Sequence, residues 1–186
     1  MAIEYIVPNA DNSDGSWTNS SGNAVNLYDY VDNGISGGTP NDSTYLSSSN
    51  LNDTCVLDLE TIAGTTNAGT DIILRFRRFN NFTTSQTALY EGATEIWSSI
   101  QESEFDSQFE ETVQTIPGAS GDNIVDYSDL NIRVTNVDGG GNLQISEIEL
   151  EFDTDGGGGG GSAVADFIRF ENGCMSDFRG MVNIRG

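Results

Sequence analysis

Residues 143–152 read Leu-Gln-Ile-Ser-Glu-Ile-Glu-Leu-Glu-Phe, and this stretch decides the fold class. Ile148, Leu150 and Phe152 alternate with Glu147, Glu149 and Glu151, the period-two pattern of a strand with one dry face and one wet face. Leu143 and Ile145 carry the opposite phase. A strand that keeps all five apolar side chains on the core side therefore needs a bulge near Ser146.

The same alternation recurs upstream. Ile72, Leu74 and Phe76 alternate with Ile73, Arg75 and Arg77, and Leu130, Ile132 and Val134 alternate with Asn131, Arg133 and Thr135. Shorter strands are expected around Ile3–Val7, Val25–Tyr28, Thr44–Leu46, Cys55–Leu59, Ala88–Tyr90, Ile96–Ile100 and Thr112–Ile116. Gly92-Ala93-Thr94 separates two of these at hairpin spacing. Asn, Asp, Gly and Pro cluster at residues 33–41 and 117–122, where the chain must turn. Asp126–Asp129 suits one short turn, while residues 103–111, with Phe105 and Phe109 four apart, fit neither a helical turn nor a strand. Many short strands with closely spaced turns predict an all-β, antiparallel two-sheet β-sandwich of jelly-roll-like type.

After Phe152 the texture changes to Asp-Thr-Asp and six glycines, Gly156–Gly161. Glycine has nothing to bury and the most entropy to lose, so this run reads as a hinge. The expected organisation is a sandwich at 1–152, a Gly-rich linker at 153–162 and a C-terminal docking arm at 163–186. The arm is too short for its own core yet carries Phe167, Ile168, Phe170, Met175, Phe178 and Met181; it is expected to pack on something else, in cis or in trans.

The chain has 186 residues and a formal charge of −22, from 29 acidic side chains against 7 basic ones, all arginine. That balance repels phosphate backbones and anionic membrane surfaces, so neither nucleic acid nor membrane is an expected partner. No stretch approaches the about 18 apolar residues of a membrane span, and Met1–Asp14 lacks the parts of a secretory signal.

The residues of familiar catalysis are missing. There is no histidine, hence no ordinary triad base or zinc-ligand set. Cys55 and Cys174 stand far apart in sequence as free thiols or as one bridge. Glu102, Glu104 and Asp106 supply carboxylates for a glycosidase pair, but such proximity is ordinary in a chain this acidic. The expectation is a non-enzymatic protein with no cofactor. Calcium is the one ion with candidate loops, at Asp11–Gly15 and Asp153–Gly156, although Asx-rich turns have the same composition. Asn19, Asn41, Asn52 and Asn81 sit in glycosylation-acceptor patterns that this Asn/Ser/Thr richness also produces by accident. Arg75, Arg77 and Arg78 leave two readings open: a ladder against Glu147, Glu149 and Glu151 across a sheet, or a partner-docking patch.

A resemblance adds to this. Gly15-Ser-Trp-Thr18, then Asn41-Asp-Ser-Thr-Tyr-Leu46, the basic strand Ile72–Phe79 and Asp122–Val134 occur in the order found in a β-sandwich domain of tailed-bacteriophage virion proteins, which residues 1–152 resemble. The resemblance implies a capsid decoration (cement) protein on the virion surface, assembled in the host cytoplasm with both cysteines reduced. Its implied partners are the major capsid protein and copies of itself, as a trimer, with the arm clamping a neighbour. The alternative is a tail or head fibre module, an adhesin whose aromatics Trp17, Tyr28, Tyr30, Tyr45, Tyr90 and Trp97 stack on host glycan.

Overall fold

The computed structural model describes residues 2–32, 39, 41–62, 66–81, 83–102, 105–138 and 141–154. Eleven strands run through them: β1 (Ala2–Ile6), β2 (Pro8–Ser13), β3 (Thr18–Asn19), β4 (Leu46–Ser48), β5 (Asp53–Leu59), β6 (Ile72–Asn81), β7 (Thr84–Glu91), β8 (Thr94–Glu102), β9 (Phe105–Ile116), β10 (Leu130–Asn136) and β11 (Leu143–Thr154). Helix among the described residues is confined to a 3-10 turn at Tyr28–Tyr30 and one turn of α-helix, α1 (Gly118–Gly121). No helix among them is long and apolar enough to cross a membrane.

The strands form two antiparallel sheets. The first runs β3-β4-β11-β6-β9, with β1 also paired to β11, and the second runs β2-β5-β10-β7-β8. Successive strands cross repeatedly from one sheet to the other, which gives the jelly-roll-like sandwich its non-local pairing. Between the sheets Leu74, Phe76, Ile148, Leu150 and Phe152 meet Leu57, Leu89, Ile132 and Val134, all buried. Each fully buried large side chain contributes roughly 1.5–3 kcal/mol. Trp17 and Leu27 enter the same core from the loops, both at 0% exposure.

The bulge expected in β11 is present: its register against β6 shifts between Ile145 and Glu147. Leu143, Ile145, Ile148, Leu150 and Phe152 are thereby all buried. The β7–β8 hairpin turns at Gly92-Ala93, with Gly92 at φ 55°, a left-handed conformation that glycine adopts without a Cβ clash. Residues 126–129 make a turn closed by the Asp129 N–H on the Asp126 carbonyl.

Other expectations are corrected. Val25–Tyr28 is not a strand; the Asp11 carboxylate accepts the backbone N–H groups of Leu27 and Tyr28 at 2.9 Å each and holds the chain in the 3-10 turn. The Thr44–Leu46 strand lies at Leu46–Ser48 instead. Residues 105–111 belong to β9, since cross-strand pairing to β6 supplies what the sequence pattern does not. β2 was not expected from its polar sequence. β11 extends through Asp153 and Thr154, opposite Ile3 and Ala2, so the expected linker starts too early at 153. The remainder of the linker and the whole arm, with Phe167, Ile168, Phe170, Met175, Phe178 and Met181, lie outside the described residues.

Candidate functional site

The outward phase of the second sheet builds a polar platform. Direct cross-strand neighbours share a face, and the register sets Asp58 (β5), Asn131 (β10), Tyr90 (β7) and Glu95 (β8) in one row. The next row is Val56, Arg133, Ala88 and Ser98, and the one beyond it contains Thr54, Thr135, Gln86 and Ile100. Their inward neighbours Leu57, Ile132 and Leu89 are in the core, so this face points outward, with Asn131 itself covered at 3% exposure.

These side chains are held in place by one another. The Arg133 guanidinium lies over the Tyr90 ring, 3.5 Å from its centroid, a cation–π geometry. Its Nε donates to Asn131 Oδ1 at 3.2 Å and its Nη2 to the Gly92 carbonyl at 3.1 Å, which also accepts from Asn131 Nδ2 at 3.0 Å. The Tyr90 hydroxyl donates to Glu95 Oε2 and the Ser98 hydroxyl to Glu95 Oε1, both at 2.8 Å. The hydrogen bond from Ser98, then that from Tyr90, holds the Glu95 carboxyl below the usual glutamate range. The hydrogen bond to Glu95 in turn raises the Tyr90 phenol. At the other end Asn12 Nδ2 donates to Asp58 Oδ1 at 2.8 Å. Val56 and the almost buried Ala88 provide a low floor beside Arg133.

The arginines read as a ladder or a docking patch take up separate roles. The register places Arg77 opposite Glu147 and Arg75 opposite Glu149, as the ladder reading requires. Arg77 forks onto Asp42, Nε to Oδ1 at 3.1 Å and Nη2 to Oδ2 at 2.8 Å. Arg75 bonds Glu151 at 2.5 Å, diagonally across the pair, with Glu111 at 3.7 Å. Burial works to raise Asp42, but hydrogen bonds from Arg77 and Ser146 and the charge of Arg77 outweigh it and hold it low. Arg78 is the clear correction. It points inward, 5% exposed, and its guanidinium donates to Ser85 Oγ and the carbonyls of Gln101 and Glu102. It joins the two sheets from inside the sandwich and presents no surface for docking.

The aromatics expected to stack on sugar divide in the same way. Trp17 is buried, its indole N–H on the Asp53 carbonyl at 3.2 Å. Tyr28, Tyr30 and Trp97 pack against the core. Tyr45 meets Phe109, which meets Phe79, at centroid distances of 6.0 and 5.3 Å. Only Tyr90 of the six belongs to the platform.

The candidate calcium loop at Asp11–Gly15 uses the Asp11 carboxylate on backbone amides, as above. No cluster of three or more potential metal ligands occurs among the described residues. Part of the second loop, at 155–156, lies outside them. Asn19 is buried, and its amide is engaged by the Val25 carbonyl and the Ser21 and Asn23 N–H groups, so it offers no acceptor for a glycan. Cys55 is a buried free thiol, raised by desolvation and then by Asp11, Asp14 and Asp53, hence inert as a nucleophile.

Sequence reasoning missed Asn12, Asp58, Asn131, Glu95 and Ser98 as a group. Alternation in Leu130–Val134 signals that Asn131 and Arg133 share a face, but which strands lie beside them depends on a strand order that no local pattern encodes.

No family model and no curated protein matches the chain. Solved structures similar to it include the C-terminal CBM6 of LamC, a marine laminarinase from Zobellia galactanivorans, at 9% identity and TM-score 0.45, covering 82% of this chain and 100% of that one. TmCBM61, solved with β-1,4-galactotriose, shows 10% identity and TM-score 0.37 over 80% of this chain and 86% of its own. The K1 cleaved adhesin domain of Lys-gingipain from Porphyromonas gingivalis W83 shows 10% identity and TM-score 0.37 over 81% and 98%. Likenesses of this size carry no argument about function; the two-sheet β-sandwich stands on the strand pairing itself.

Proposed function

We propose that this chain is a non-catalytic glycan-binding module and that the outer face of the second sheet is its binding surface. The observation that supports this is the interlocked set Asn131, Arg133, Tyr90, Glu95 and Ser98. A sugar ring presents closely spaced hydroxyls and a C–H face. Such a ligand needs fixed donors and acceptors above a flat floor, and side chains already ordered by one another lose little entropy on binding. The platform provides carboxylate, hydroxyl and guanidinium groups in adjacent rows beside Val56 and Ala88, while the buried Asn131 amide orients Arg133. Its one strongly exposed large apolar residue is Ile100, at 60%, whereas the centre of a protein–protein interface is more apolar than this.

The carboxylates of the face support binding over hydrolysis. Asp58 and Glu95 stand three strand spacings apart, about 14 Å at 4.7–4.9 Å per spacing, well beyond the about 5–9.5 Å between glycosidase carboxyls. The capsid-decoration reading rests on the sequence resemblance and on the C-terminal arm, and no described residue favours it.

The test is a glycan array followed by titration calorimetry with the best oligosaccharide, comparing the parent with Arg133→Ala and Tyr90→Ala. The expected result is binding to one glycan class, weakened at least tenfold in both variants with little change in melting temperature. Binding unaffected by either variant, or no glycan bound at all, would overturn the proposal.

A further inference from the structure

The inward phase of the sandwich is not apolar throughout. β8 and β9 are the edge strands of the two sheets. The register makes Trp97, Ser99 and Gln101 the inward residues of β8, opposite Leu89, Thr87 and Ser85. It makes Gln114 and Thr112 inward residues of β9, opposite Leu74 and Phe76. Trp97, Ser99, Gln101 and Thr112 are only partly buried, and Glu110, opposite Arg78 on β9, is exposed. Along this edge the space between the sheets is thus polar and reached by solvent.

Deeper in, two groups lack partners. Gln114, 5% exposed, accepts a hydrogen bond from the Thr87 hydroxyl at 2.7 Å, while its Nε2 has none. Arg78, bonded to Ser85, has an unpartnered buried Nε. Thr87 and Ser85 are consecutive inward positions of β7, about 7 Å apart along a strand. Two buried donors therefore stand over neighbouring hydroxyls. An unsatisfied buried donor costs roughly 1–3 kcal/mol, and a native fold retains one where something else completes it.

We infer that the β8–β9 edge is a second ligand site, a slot between the sheets that takes an uncharged, hydroxyl-rich chain whose oxygens accept hydrogen bonds from the Gln114 amide while the ring face lies beside Trp97. The two unpartnered groups, Gln114 Nε2 and Arg78 Nε, are both donors, so the occupant must supply acceptors. No cation on the ligand is called for, because the deep end is already occupied by the Arg78 guanidinium. The slot shares β7 and β8 with the platform but lies on their opposite, inward face and adds β9, and it does not depend on the platform binding sugar.

The experiment is a 1H–15N NMR titration of the full chain with gluco-oligosaccharides of β-1,3, β-1,4 and α-1,4 linkage and with xylohexaose, following the Trp97 indole N–H and the Gln114 side-chain amide. The slot is expected to shift both signals on saturation with one of these. Gln114→Leu is expected to weaken that binding about tenfold while leaving Arg133 and Tyr90 signals and the melting temperature unchanged. Shifts confined to Tyr90, Arg133 and their neighbours would overturn the slot and leave the platform standing. Absence of any shift, or a Gln114 amide that shows contacts to water alone, would overturn it too. A Gln114→Leu protein that binds as the parent does would reduce the orphaned amide to a hydrated core residue.

Discussion

Replacing Arg78 by alanine tests the sandwich where its two sheets are tied by charge. The guanidinium makes three hydrogen bonds, to Ser85 Oγ at 3.2 Å and to the carbonyls of Gln101 at 3.1 Å and Glu102 at 2.5 Å. Bonds from a charged donor contribute about 1.5–3 kcal/mol each, roughly 5–9 kcal/mol together. Against this stands the desolvation of the cation, several kcal/mol, which also lowers its pKa. The net loss on truncation is about 3 kcal/mol, and the melting temperature should fall by roughly 6–12 °C for a domain of this size. Urea unfolding followed by fluorescence of Trp17 and Trp97 measures it, with the slope m unchanged. Arg78→Met fills the space without the charge and should also destabilise, because it strands the same three acceptors. A loss under about 1 kcal/mol in the alanine variant, or a methionine variant as stable as the parent, would refute the clamp.

The remaining predictions concern a buried acid and two glycines. Glu147 is 0% exposed, with Oε1 accepting the Asn41 N–H and Oε2 unpartnered. Burial raises its carboxyl above the ordinary 4.5, so the folded state favours the protonated acid. Its contribution to stability is complete below pH 4.5 and is lost as pH rises through the raised value. Glu147→Gln should therefore be more stable than the parent at pH 7, by on the order of 1 kcal/mol, with the difference closing in melts run below pH 4.5. A Cβ on Gly118 would lie 2.3 Å from the Gly69 carbonyl carbon and 2.4 Å from its oxygen, both backbone, whereas one on Gly22 at φ 80° meets nothing within 4 Å. Gly118→Ala should cost about 3 kcal/mol and Gly22→Ala about 1–2 kcal/mol from conformation alone. Thermal melts that rank the two the other way would contradict the packing at α1.

Much of the sheet interior was legible in the chain. The phase change between Ile145 and Ile148 announced the bulge that β11 contains, and Gly92-Ala93 marked the hairpin. Those signals come from apolar side chains or from turn chemistry, which are local. β2 escaped because Pro8-Asn-Ala-Asp-Asn-Ser13 lies at a sheet edge and is held by backbone pairing to β5 rather than by an apolar face. The aromatic pair Phe79–Phe109 escaped for another reason: the two rings meet across β6 and β9, thirty residues apart in sequence. The platform shows the same limit. Tyr90, Glu95, Asn131 and Asp58 come from four strands whose order in the sheet differs from their order in the chain.

The pairing of β1 with β11 has a mechanical consequence. Ala2 stands opposite Thr154, so the polypeptide enters and leaves the sandwich at the same end of one antiparallel pair. Tension applied to segments joined at both places would act across the strands, not along them. The ladder from Ala2–Thr154 to Ile6–Leu150 would then open one rung after another, like a zipper, instead of resisting as a block in shear. Load carried through both attachments would peel β1 away first while the inner strands β6 and β11 stayed paired, making this joint the compliant part of a stiff body.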